Sequence, residues 1–234
     1  MNTTWQSFRA VWQYQGPWYA LLRAGRKLLT PLLNWDVIYV FERSLSDSPS
    51  DYPIPEGVLI SSFRGEHDLL KAQSDLGPYC EYVEARLCRG DIAVVAYAGD
   101  EVAGYAWMSL SNIWVEEVEM TAMVRKGEIV HYDSFVRPIW RGHGLSTCLL
   151  VAARHYARLG GCDRSLSWIS ALNVQSLKTA QRLRPFLFER RMIILSIKTV
   201  GMRRRKNFAV RGSLPGRFVY DDPPLRATAA LHKP

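Results

Sequence analysis

The sequence predicts an α/β (α+β) chain in which a mixed sheet is flanked by helices. A helical N-terminal extension precedes it and a basic C-terminal tail follows. Three observations predict this. From residue 57 to 198, short apolar runs with a strand period are interspersed with segments of helical period. Ala98-Gly99-Asp100 joins two of the strand runs as a hairpin signal. Beyond Val136 a strand passes into a long helix through a loop holding two glycines one residue apart.

Taken in order, residues 1–33 read as helix, with a break at Gly16-Pro17. Aromatic side chains are dense there (Trp5, Phe8, Trp12, Trp18, Tyr19), and the basic residues Arg9, Arg23, Arg26 and Lys27 meet no acid before Asp36. Such a segment either docks on the domain or makes a peripheral membrane contact. Asp36 to Leu45 reads as a strand, and Ser46 to Asp51 as a turn-rich linker. Gly57 to Phe63 is a strand, and Glu66 to Ser74 and Tyr79 to Cys88 are helical. Ile92 to Tyr97 and Val102 to Leu110 are strands, and Val115 to Met120 is a candidate for another. Glu128 to Val136 is the central strand. The helix after it, Leu145 to Leu159, has apolar residues at 145, 149, 150, 153, 156 and 157 and stops at Gly160-Gly161. Strand 166–171, helix 174–183 and strand 187–198 complete the order. The chain divides into an extension (1–50), a central domain (51–198) and a tail (199–234).

At 234 residues and 48% apolar, the chain can bury a real core. No apolar run reaches the roughly eighteen residues of a transmembrane helix, and the start lacks a signal-peptide pattern. Cys80, Cys88, Cys148 and Cys162 form no Cys-x-x-Cys pair and have no His at ligand spacing, so they read as reduced thiols of a cytoplasmic protein with no metal site. The tail from Thr199 carries net +6 of the chain's +8. Basic ends attract anions: lipid headgroups, CoA phosphates, an acidic carrier protein or nucleic acid, the last the least expected here.

The stretch Val136-Arg137-Pro138-Ile139-Trp140-Arg141-Gly142-His143-Gly144 carries the chemistry. Its glycines let the backbone turn tightly, and the loop amides and first helical amides then point into one concavity at the positive end of the helix dipole. That geometry holds a pyrophosphate. No Gly-Lys-Ser/Thr follows, so it is not a Walker loop. No third glycine comes three residues after Gly144, so it is not a dinucleotide-binding turn.

Val136-x-Pro138-x-Trp140-Arg141-Gly142-x-Gly144 followed by Leu149-Leu150 resembles the acetyl-CoA-binding motif of the GNAT acyltransferase superfamily. The downstream order is similar to that family's as well: a strand, Asn173-x-x-Ser176 opening a helix, then a last strand. The resemblance spans about residues 57–198 and implies a largely antiparallel sheet, with acetyl-CoA or another acyl-CoA as co-substrate. The sequence departs from the pattern in three places. Ile139 stands where Gln or Arg is frequent, Ala180 where a Tyr often serves as acid for the thiolate, and Arg184-Pro185-Phe186 where Gly-Phe is usual.

On that resemblance, the amides of Arg141, Gly142, His143, Gly144, Leu145 and Ser146 take the pyrophosphate, each charge-assisted hydrogen bond contributing roughly 1.5–3 kcal/mol. Arg137 and Arg141 add charge. The backbone of Ser134, Phe135 and Val136 pairs with the pantetheine arm, and an amide near Phe135 polarises the thioester carbonyl. Asn173 and Ser176 either bond the pantetheine or cap the helix.

A lysine-like amine of pKa near 10.4 costs about 4.6 kcal/mol to deprotonate at pH 7, an α-amine near 7.8 only about 1. The candidate bases are Glu128, Asp133 and His131. Strand alternation places His131 and Asp133 on one face and Glu128 on the other. Tyr132 is the candidate acid for the thiolate. The preferred acceptor is a small-molecule amine, such as an amino sugar or amino acid derivative. An acyl carrier protein as donor and a non-catalytic membrane or nucleic-acid module are the alternatives, and the chain is a monomer or homodimer.

Overall fold

The computed structural model describes residues 33–46, 53–182, 190–201, 206–211 and 217–219. The helix expected over 1–33, the linker beyond Ser46, Arg184-Pro185-Phe186 and the Arg203-Arg204-Arg205 run lie outside these. Eight strands form the main sheet: β1 (Leu33–Ser44), β2 (Val58–Arg64), β3 (Ile92–Ala98), β4 (Glu101–Ser109), β7 (Glu128–Val136), β8 (Arg164–Ser170), β9 (Arg190–Thr199) and β10 (Lys206–Arg211). Their order is β10-β9-β1-β8-β7-β4-β3-β2. Every neighbouring pair is antiparallel except β7 and β8. A second sheet is built from β5 (Ile113–Val115), β6 (Met120–Ala122) and β11 (Phe218–Val219). The helices are α1 (Leu69–Leu76), α2 (Val83–Cys88), α3 (Leu145–Leu159) and α4 (Val174–Arg182).

Strand alternation builds two faces. On one, α3 lays Leu145, Cys148, Leu149, Ala153 and Ala157 on Val94, Ala96, Ala103, Ala106, Met108 and Ile129. The 3.6-residue period of α3 makes this stripe continuous. Full burial of Leu145 and Leu149 contributes roughly 1.5–3 kcal/mol each. On the other face α1 and α2 bury Ala72, Leu76, Val83 and Leu87 against Ala93, Val95, Tyr105 and Trp107. Farther along that face the small sheet packs Ile113, Val115, Met120 and Phe218 on Ile38, Val40, Val130, Leu166 and Ile194. Tyr132 touches both clusters and lies between the two coverings.

Two expectations change. The strand assigned to the extension is integral: β1 lies between β8 and β9, so a boundary at residue 50 cuts the sheet. Its alternate residues bury on both sides, Ile38 and Val40 under the small sheet and Leu45 under α3. The turn-rich linker marked a chain break in local structure and carried no information on which strands β1 would join. The strand expected over Val115–Met120 is instead a hairpin turn between β5 and β6, with Glu119 left-handed at φ 51°. Splitting the run lets Val115 and Met120 both face the core. Strands β10 and β11 within the tail were not expected. Among the described residues no helix is long and apolar enough to cross a membrane.

Candidate active site

Strands β7 and β8 pair only from Glu128–His131 to Arg164–Ser167, although β7 continues to Val136 and β8 to Ser170. Beyond His131 the two main chains part. Each keeps its other neighbour, β4 and β1. One backbone edge of β7 over residues 132–136 is therefore open to a wedge, and unpaired main-chain groups there accept an extended ligand as a strand would.

At the mouth of the wedge lies the glycine loop. A 3-10 turn, Pro138–Trp140, follows β7, and Gly142 and Gly144 both take positive φ, 88° and 81°. The Arg141 N–H is spent inside the loop on the Pro138 carbonyl at 3.2 Å. The next engaged amides are Thr147 and Cys148, both on the Gly144 carbonyl. Among the described residues, no hydrogen bond uses the N–H of Gly142, His143, Gly144, Leu145 or Ser146. A Cβ placed on Gly142 would meet nothing within 4 Å, so the loop leaves open space beside its backbone. The Arg141 side chain turns back to the Val136 carbonyl (3.0 Å), and Arg137 is paired with Glu101 at 2.5 Å. His143 is exposed and meets the Trp140 ring edge-on, while Leu145 is buried in the core. Asn173 caps α4, its Oδ1 accepting the Ser176 N–H at 3.1 Å.

The expected shared face of His131 and Asp133 does not form. In the β4–β7 ladder Trp107 opposes Asp133 and Met108 opposes His131, so Tyr132 is an extra residue on β7. This β-bulge resets the alternation. His131 turns to the α3 side, near Arg154 of α3 and Arg43 of β1. Both its ring nitrogens are buried without a hydrogen bond among the described residues. Burial, and then the charges of Arg154 and Arg43, press its pKa down to about 3. Arg154 is 1% exposed and donates to the Ser44 carbonyl at 2.9 Å. His131 is thus a neutral core imidazole.

Glu128 is engaged elsewhere. Arg217, in the short tail segment beside β11, donates to both its carboxylate oxygens at 2.6 and 2.9 Å, and the Arg125 N–H adds a third bond. Arg217 Nε also lies 2.6 Å from Glu42 on β1. Burial alone would raise the Glu128 pKa, and the hydrogen bonds from Arg217 and Arg125 outweigh it and lower it. This ion-paired triad ties β1, β7 and the tail together.

Asp133 faces the α2 side. Arg86 of α2 reaches its Oδ2 at 2.6 Å, while the guanidinium lies over the rings of Trp107 (5.1 Å) and Tyr132 (5.2 Å). The carboxylate side chain keeps 33% exposure. Tyr132 donates its hydroxyl to buried Asp91 (2.7 Å), which is also paired with Arg89. Burial first, and then the Asp91 charge, push the Tyr132 pKa up. The hydroxyl points under α2 toward Asp91. Two residues beyond Asp133, the Phe135 ring is stacked on Tyr79 (6.0 Å, 22°) and tilted against Tyr105 (5.7 Å). Ala180, where a tyrosine acid would stand, is buried. Nothing in the local spacing of Arg86, Tyr79 and Arg217 marks them in the sequence, because each acquires its partner only through distant residues.

The family model described as "Acetyltransferase (GNAT) family" matches residues 61–184. No curated protein matches the chain. Among solved structures, an aminoglycoside acetyltransferase, meta-AAC0020, from an uncultured soil metagenomic sample, in complex with trehalose, shares 14% identity at TM-score 0.41 over 59% of this chain and 94% of its own. Aminoglycoside N-acetyltransferase AAC(6')-Iy in complex with CoA shares 21% at TM-score 0.42 over 53% and 89%. A GCN5-related N-acetyltransferase from Kribbella flavida shares 14% at TM-score 0.48 over 80% and 65%.

Proposed function

This chain belongs to the acetyltransferase (GNAT) family, and from that premise we propose that it is an N-acyltransferase. It moves an acetyl or other acyl group from acyl-CoA to the amine of a small molecule by direct attack. The observation that carries this reading is the run of unengaged N–H groups from Gly142 to Ser146 at the N-terminus of α3. Five unengaged donors at a helix N-terminus, beside open space, suit a diphosphate.

The residues then divide the work. The amides of residues 142–146 hold the pyrophosphate, and the open edge of β7 from Ser134 to Val136 pairs with the pantetheine amides. The Ser134 N–H, alternating away from the β4 ladder on that open edge, polarises the thioester carbonyl. Asp133, with a third of its side chain exposed, receives the acceptor ammonium and takes its proton. With His131 buried and Glu128 tied to Arg217, Asp133 is the carboxylate on β7 left to meet the amine. A leaving thiolate with a thiol pKa of about 8.5 needs little help from an acid, so the alanine at position 180 is tolerable. Catalysis rests mainly on placing amine against carbonyl.

Calorimetry with CoA, together with thiol release from acetyl-CoA in the presence of amines, tests the reading. Micromolar CoA binding and amine-dependent thiol release are expected. Absence of CoA binding overturns it, as does transfer from a carrier-bound acyl group with acyl-CoA inert.

A further inference from the structure

Resting on that acyltransferase reading, we propose that the acceptor is a primary amine whose aromatic ring lies two or three bonds from its nitrogen. The inference comes from two groups on the α2 side of β7. The first is Asp133. Its Oδ2 is taken by Arg86, and its Oδ1 has no hydrogen-bond partner among the described residues. Arg86 is itself held between Trp107 and Tyr132, so the carboxylate is fixed with one oxygen left to accept from an ammonium.

The second group is the ring pair Phe135–Tyr79. Phe135 follows Asp133 by two residues, past the bulge, and packs with the same cluster under α1 and α2. A strand rises about 3.3 Å per residue, which sets the two side chains roughly 7 Å apart along β7. Tyr79 stacks on Phe135 yet remains 39% exposed. Its loop is pinned by the Tyr105 hydroxyl, which donates to the Tyr79 carbonyl at 3.2 Å. The result is a fixed anion at one end and a flat, partly exposed aromatic surface at the other.

An arylalkylamine spans that distance: the ammonium meets Asp133 Oδ1 and the ring lies on Tyr79 and Phe135 in an offset stack. An amino sugar of the same size buries less apolar surface there, because its hydroxyl groups have to keep water or find partners.

The test uses the full chain with acetyl-CoA at pH 9, where all the amines are substantially free base, and compares 2-phenylethylamine with glucosamine and kanamycin, reading thiol release. The expected result is a kcat/KM for 2-phenylethylamine at least tenfold above either sugar. Tyr79→Leu should lower that value at least fivefold, mainly through KM, with Tyr79→Phe restoring it and the acetyl-CoA Kd held within twofold. Acetyl-CoA bound and consumed with the sugars preferred, or with no preference, overturns the acceptor class alone. So does a Tyr79→Leu loss carried in kcat. Failure to bind acetyl-CoA overturns the transferase reading and the acceptor class with it.

Discussion

His131 and Asp133 stand two residues apart on β7 and face opposite sides of the sheet, because Tyr132 is an extra residue opposite the Trp107–Met108 step. One inserted residue decides which titratable group meets which side of the sheet. His131 lies in the core beside two arginines, and Asp133 reaches the half-open α2 side.

The His131 position has a consequence for acid stability. Its folded pKa, about 3, is far below the unfolded value near 6.5. Between those values the unfolded chain binds a proton that the folded chain refuses. Its contribution is therefore intact above pH 6.5 and is lost as pH falls toward 3, at up to about 1.4 kcal/mol per pH unit. His131→Gln should flatten the fall in urea midpoint between pH 6.5 and 4. It should leave the pH dependence of turnover from 6 to 8 unchanged. A kinetic pKa near 6.5 that disappears in this variant would make His131 the base after all.

Asp133→Asn should lower kcat/KM for the acceptor by about 10²-fold, the low end for loss of a positioned base, with the acetyl-CoA Kd unaltered. In the native chain, turnover should climb with pH until the free amine's own pKa is reached. Equal activity of the Asn variant across pH 6–9 removes Asp133 from the chemistry.

Gly142→Glu should keep the fold, since its Cβ meets nothing within 4 Å, at a cost of about 1–2 kcal/mol for the left-handed backbone. It also sets a carboxylate among the amides of residues 142–146. CoA affinity should drop at least a hundredfold by calorimetry. Unchanged affinity means the phosphates bind elsewhere.

Arg217→Met leaves Glu42 and Glu128 without their shared cation. Breaking a buried pair from one side costs about 3–5 kcal/mol, which for a chain of this size lowers the melting temperature by about 10 °C. Glu128→Gln should also melt early while keeping acceptor turnover. A Gln variant that is stable but inactive would return Glu128 to the reaction.

How much was legible in the sequence follows from the range of each interaction. The helix Leu145–Leu159 was readable end to end, because its apolar period and its flanking glycines are local. The hairpin at Gly99 and the glycine loop after Val136 were readable for the same reason. The place of β1 was not, since strand partners depend on residues more than a hundred positions away, such as Ser167 opposite Phe41. The bulge at Tyr132 was equally hidden, because it exists only in register with β4.

By itself, then, the sequence determined the α/β character, the strand-loop-helix that presents free amides, and the candidates along β7. The tertiary structure alone decided their fates. Arg217 reached across 89 residues to occupy Glu128, Arg86 came across 47 to hold Asp133, and the bulge sent His131 inward. Backbone periodicity is set by neighbours in the chain, whereas the charge and solvent exposure of a carboxylate or imidazole are set by whatever folding brings beside it.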